Sequence, residues 1–161
     1  MKLQVLLKQM HACPEAVEWV GDRDLAKAWA ECERADWMIW FAAKKADRKL
    51  VVLAECACAR PALKYVPEGE DWPRIAIETA EAWARGEATI EQVRTAADAA
   101  YAADKALAVY AAYDAAVYAV IAQYAACGAS DAARVKALAD MADIVRKIIP
   151  VEKLKEVSHA E

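Results

Sequence analysis

The stretch from Thr95 to Ala126 constrains the fold of this chain more than any other feature. Half of its residues are alanine, five are tyrosine and only four are charged. On a helix, its larger apolar residues and most of its tyrosines cover one wide arc, while alanines separate the few polar residues opposite. A helix that is apolar over most of its circumference is normally flanked on several sides. The sequence therefore predicts a long central helix over residues 89–126.

The alanine-rich side of this helix has two interpretations. It either packs against neighbouring helices in one chain, or it forms a shared face in a homodimer or higher oligomer. Asp114 falls on the apolar side, between Ile121 and Leu107. Its carboxylate is either buried and satisfied by a tyrosine hydroxyl or an arginine, or it contacts a ligand or partner.

Capping and helix-ending residues divide the rest of the chain into short helices. Pro14 and Gly21 fit the start and the stop of a helix over residues 14–20. Asp36 is expected to cap the helix that carries Trp37 and Trp40. Thr89 and Gln92 form a capping box that starts the long helix. No strand pattern occurs, so the sequence predicts an all-α, single-domain bundle of about seven helices over residues 1–150, with a short charged tail over 151–161.

Composition narrows the function classes. The net charge of −4 argues against general binding of DNA or RNA. The five cysteines include no C-x-x-C pair, which favours reduced thiols in a cytoplasmic protein and makes a zinc site improbable. Charged residues interrupt the alanine-rich stretch, so no membrane span is expected. The chain lacks a glycine-rich phosphate loop and the common hydrolase motifs, so we expect neither a cofactor nor an enzyme.

One candidate site is a charged stripe on a helix predicted over residues 73–85. Arg74, Glu78 and Arg85 share one side of this helix, and helix rise places the two arginines about 16 Å apart. The stripe is either a solvated face with helix-stabilising ion pairs, or a site that holds an extended ligand or two carboxylates of a protein partner.

A second candidate site is an aromatic face. Trp37, Trp40 and Phe41 are spaced to lie on one side of a helix, and Lys44 falls near that side. These residues either belong to the core or form a platform on which a nucleotide base stacks.

The segment VPEGEDWPRIAIETAEAWARGEATIEQ, residues 66–92, carries the most distinctive motif of the chain. It is similar to a motif of the predicted all-helical immunity proteins encoded beside bacterial polymorphic toxins, and of their phage-borne relatives. The resemblance covers nearly the whole chain, and its most specific part is Arg74–Glu87. The matching positions are Pro67 to Asp71, Pro73, Arg74, Ala76, Ile77, Glu78 and Ala82 to Glu87, with Cys13, Glu18, Trp19, Ala28, Trp29, Asp36, Trp37, Trp40, Cys56 and Cys58 upstream.

This resemblance implies a small helical protein of a phage or mobile element that acts by stoichiometric binding. Two mechanisms follow from it. The protein could sequester a protein toxin or defence effector, and the acidic segment over residues 68–104 favours this mechanism. Alternatively, it could act as a sponge that traps a nucleotide immune signal in a pocket between helices or subunits.

Overall fold

The computed structural model describes residues 2–66, 68–103 and 131–154. These ranges contain eight α-helices and no strand, which confirms the all-α class; the sequence predicted about seven helices. The α-helices are α1 (Leu3–Gln9), α2 (Pro14–Val20), α3 (Leu25–Glu31), α4 (Ala35–Lys45), α5 (Arg48–Ala59), α6 (Trp72–Arg85), α7 (Ile90–Ala103) and α8 (Asp131–Ile148). Short 3-10 helices follow α5 at Arg60–Tyr65 and α8 at Val151–Lys153.

The predicted long helix is described only at its start. The amide of Thr89 donates to the Gln92 side chain at 2.7 Å, and the Gln92 amide donates to the Thr89 hydroxyl at 3.2 Å. This reciprocal pair confirms the capping box. The rest of the predicted helix, with Asp114, lies outside the described residues, so its central position and its possible dimer face stay predictions. None of the helices that the structure describes is long and apolar enough to cross a bilayer.

Several helix boundaries follow local capping chemistry. The carboxylate of Asp24 accepts a hydrogen bond from the Lys27 amide at 2.8 Å, and that of Asp47 accepts one from the Lys49 amide at 2.8 Å. Gly86 ends α6 with a φ of 83°, a left-handed conformation that favours glycine. Each of these side chains or backbone shapes satisfies amide or carbonyl groups that a helix end leaves unpaired.

The expectation that Asp36 caps α4 is wrong. The helix begins one residue earlier, at Ala35, and Asp36 lies in its first turn. The Asp36 carboxylate instead accepts two hydrogen bonds from the Arg34 guanidinium, at 2.9 and 2.6 Å. A bidentate charged pair is stronger than a neutral capping bond, and a carboxylate in the first turn still interacts favourably with the helix dipole.

The main core lies between α1 to α5 on one side and α8 on the other. Three of its side chains are almost completely buried: Met38 of α4, Val145 of α8, and Ile149, which directly follows α8. The indole Nε1 of Trp29 donates to the Ile149 carbonyl at 3.0 Å, which ties α3 to the end of α8. A smaller apolar cluster lies between α5 and α6 and is formed by Val52, Cys56, Ala59, Ile77 and Ala84.

Glu55 on α5 lies at the seam between these two clusters. Its neighbours on the same helix, Val51 and Cys58, belong to the main core, while Val52 and Ala59 belong to the smaller cluster. Glu55 is 4% exposed, and no hydrogen-bond partner for its carboxyl group lies among the described residues. Burial raises the pKa of Glu55 to about 8, although the charge of Arg48 opposes the shift.

Candidate functional site

A cavity of about 640 Å³ opens between α1, α2, α3 and α4. Four tryptophans from three of these helices line it: Trp19, Trp29, Trp37 and Trp40. Its walls are mostly apolar, and its volume lies within the range of about 300–1,000 Å³ that is typical of small-molecule sites. We call it the tryptophan cavity.

Three of the four indoles belong to two tilted aromatic pairs. Trp19 and Trp37 have ring centroids 6.1 Å apart at an interplanar angle of 57°. Trp29 and Phe41 have centroids 6.5 Å apart at 50°. Trp29 is buried and held by its hydrogen bond to Ile149, whereas Trp19, Trp37 and Trp40 are half-buried. The cavity therefore has a fixed aromatic floor and more exposed aromatic sides.

Each of the three half-buried indoles also carries a cation. The Arg23 guanidinium carbon lies 4.8 Å from the Trp19 ring centroid, and that of Arg34 lies 4.2 Å from the Trp37 centroid. The Lys44 ammonium lies 5.0 Å from the Trp40 centroid. These distances are within the range of cation–π contacts. Trp37, Trp40 and Phe41 of the predicted aromatic face line the cavity, and Lys44 lies beside Trp40. Their role in binding stays a prediction.

The polar residues of the cavity lie near the start of α2 and of α4. The Arg34–Asp36 ion pair is here, together with His11, Cys13 and Glu15. The hydrogen bond to Asp36 raises the pKa of the Arg34 guanidinium, and the charge of Glu15 adds to this effect. Besides His11, the charged groups of the lining are two carboxylates and one guanidinium.

No family model, curated protein or solved structure matches the chain. The resemblance to predicted immunity proteins therefore stays a prediction.

The predicted stripe on α6 consists of exposed side chains that pair within the chain. Arg74 contacts Asp71 and Glu78, each at 3.0 Å. Arg85 contacts Glu87 at 2.8 Å and lies 3.9 Å from Glu81.

Glu81 is in turn held by Arg60 of the 3-10 helix, through hydrogen bonds of 2.8 and 2.6 Å. Every predicted member of the stripe thus has a charged partner in its own chain. This arrangement is the one expected for a solvated face, and its role in binding stays a prediction.

The sequence analysis assigned only two of the four cavity indoles to a candidate site. It singled out Trp37 and Trp40, but not Trp19, Trp29 or the rim residue Glu15. The concentration of all six tryptophans before Gly86 was the available signal. That signal does not say which indoles converge, because they lie on separate helices whose packing is decided by the core.

The two cysteines of α5 offer little reactive chemistry. Burial raises the pKa of both Cys56 and Cys58 to about 12, so these thiols stay protonated and are poor nucleophiles. Within residues 2–66, 68–103 and 131–154, no three His, Cys, Asp or Glu side chains are placed to hold a metal ion. The most distinctive chemical property of the site is its aromatic surface.

Proposed function

We propose that this protein acts by stoichiometric binding of a small molecule with a flat aromatic ring, held in the tryptophan cavity. The observation that carries this proposal is the convergence of four indoles on a cavity of about 640 Å³. Indole faces bind flat rings by stacking and edge contacts, and a mostly apolar wall favours transfer of such a ring out of water.

The tilted geometry of the walls supports this ligand class. Trp19 and Trp37 meet at 57°, so a flat ring that stacks on one indole meets the other with its edge. Trp29 is fixed by Ile149, which reduces the conformational entropy that binding would otherwise cost. In the setting that the family resemblance implies, the ligand would be a signal or toxin molecule removed from solution.

The test is calorimetric titration of the protein with small aromatic compounds, using a matched pair of tryptophan variants. Trp37 and Trp83 are both half-buried and both lie under an arginine, but only Trp37 lines the cavity. Trp37→Leu should weaken binding about tenfold, since stacking on one aromatic ring contributes about 1–3 kcal/mol. Trp83→Leu should leave the affinity unchanged. Equal effects of the two substitutions would contradict the proposal.

A second candidate is sequestration of a protein toxin or defence effector by the α6–α7 hairpin. Its supporting observation is one exposed large apolar side chain on each helix, Ile75 at 46% on α6 and Ile90 at 41% on α7, in a segment rich in carboxylates. Such residues can anchor an interface. Co-purification from the natural host should then recover one stoichiometric protein, and Ile75→Asp should abolish its capture without affecting ligands of the cavity.

A further inference from the structure

We propose that the ligand of the tryptophan cavity is an aromatic cation, with its ring among the indoles and its positive group beside Glu15 and Asp36. This inference rests on the proposed function, because it assigns a charge to the same ligand. Three observations support it. The Arg34 guanidinium already lies on an indole of the cavity, the lining carries more carboxylates than guanidinium groups, and its described residues offer no site for a polyanion.

The Arg34 side chain shows which chemistry this rim accommodates. Its guanidinium carbon is 4.2 Å from the Trp37 ring centroid, and its nitrogens donate to both oxygens of Asp36 at 2.9 and 2.6 Å. An indole face and a carboxylate are the two groups that recognise a planar organic cation. Arg34 therefore occupies the kind of position that the positive group of a ligand would take.

The charges of the lining favour the same ligand. Asp36 is neutralised by Arg34, which leaves Glu15 as a second carboxylate at the rim. Glu15 is exposed and makes no ion pair with any residue that the structure describes. A cationic ligand would compensate this charge, whereas an anionic ligand would be repelled by it.

A polyanion such as a nucleotide finds no matching site in the lining. Arg34 is the only lysine or arginine among the described residues that line the cavity, and two of its five N–H donors are already bonded to Asp36. Lys44 over Trp40 and Arg23 over Trp19 lie outside that lining, and Arg23 already donates to the Glu31 carboxylate and to the Trp19 carbonyl. Recognition of phosphate groups normally uses several arginine or backbone donors that are not already paired.

Under this proposal, the Arg34 guanidinium competes with the positive group of the ligand for the Trp37 face and the Asp36 carboxylate. Replacing it with glutamine removes a positive charge from the rim and releases Asp36. A cationic ligand should then bind more tightly, and an anionic one more weakly. If Arg34 instead holds an anionic ligand, the natural chain should bind an anionic ring more tightly than a cationic one, and Arg34→Gln should remove that preference.

The experiment uses three probes that share one ring system: indole, tryptamine and indoleacetate, which are neutral, cationic and anionic at neutral pH. Each is titrated into the full chain, and affinity is read from the indole N–H resonances of the protein and from calorimetry. We expect tryptamine to bind about tenfold more tightly than indoleacetate. Glu15→Gln should weaken tryptamine about threefold and leave indole unchanged, because it removes only one exposed charge.

Arg34→Gln should strengthen tryptamine binding about threefold, with Arg94→Gln as the control. Arg94 on α7 pairs with Glu91 at 2.9 Å and does not line the cavity, so the control loses the same charge from a more exposed ion pair. Indole affinity reports whether either variant has damaged the cavity itself.

The outcomes separate the two levels of the proposal. Equal affinity for all three probes, or a preference for indoleacetate, overturns the cation inference but keeps a site for aromatic ligands. Weaker tryptamine binding by Arg34→Gln, with indole affinity unchanged, also overturns the inference. Failure of all three probes to bind overturns the proposed function together with the inference.

Discussion

The tryptophan cavity and the exposed face of α6 both combine arginines with carboxylates, but they differ in the space beside those charges. On α6, Arg74 and Arg85 pair with neighbouring acids on an open helix surface. At the cavity, the Arg34–Asp36 pair borders an apolar space of about 640 Å³. A charge pattern alone therefore does not locate a binding site. On an open surface the charged side chains pair with each other, and no enclosed volume is left for a ligand.

The largest predicted effect concerns Glu55, at the seam between the main core and the smaller cluster. Its pKa is about 8 in the folded protein, against an ordinary value of 4.5. Between these values the folded state binds more protons than the unfolded state, so the free energy of unfolding falls as the pH rises through this window. The shift of Glu55 corresponds to about 5 kcal/mol, fully lost above the folded pKa.

Glu55→Gln keeps the shape of the side chain but cannot ionise. The variant should therefore be more stable than the natural chain at about pH 9, and the difference should vanish toward about pH 4. Urea denaturation of both proteins across this range measures it. A constant difference at every pH would show that the two clusters do not bury a titrating carboxyl group between them.

Trp29→Ala tests how much the buried indole at the floor of the cavity contributes to the stability of the core. The indole is 6% exposed and bonded to Ile149, so its loss should lower the free energy of unfolding by about 3–5 kcal/mol. The corresponding change at half-buried Trp83 should cost clearly less. Thermal denaturation should show a decrease of about 10 °C for Trp29→Ala. A larger decrease for Trp83→Ala would show that Trp29 contributes less to stability than an indole outside the cavity.

Arg146→Gln tests the connection between α8 and the cavity. One guanidinium nitrogen of Arg146 donates to the carbonyl groups of Trp29, at 3.2 Å, and Cys32, at 2.6 Å. The substitution should lower the free energy of unfolding by about 1–3 kcal/mol, because part-buried carbonyl groups lose a charged donor. Lys147→Gln is the matched control on the exposed side of α8 and should change stability by less than about 0.5 kcal/mol.

The smallest effect is expected on α6. Changing Arg74 and Arg85 together to lysine keeps their charges, and exposed ion pairs contribute only about 0–1 kcal/mol. We therefore expect the melting temperature and the affinity for cavity ligands to stay unchanged. A loss of biological protection in cells, with stability intact, would identify the stripe as a true binding site and favour the second candidate function.

The sequence predicted what depends on local chemistry. Pro14, Gly21 and Thr89 mark helix ends because each acts on backbone groups within a few residues. The same local reasoning failed at Asp36, where a neighbouring arginine competed for the carboxylate. Predicting the cavity would have required knowing how four helices pack, since no spacing along the chain brings Trp19 to within 6.1 Å of Trp37.

The hydrogen bond between Trp29 and Ile149 has a consequence for the order of folding. It joins residues 120 positions apart, so it forms only after the chain has closed one of its largest loops. During synthesis, the helices that carry all the indoles of the cavity leave the ribosome long before α8 does. A nascent chain that stops before α8 should therefore lack a fixed aromatic floor, and ligand binding should be acquired late and in one step, when α8 docks.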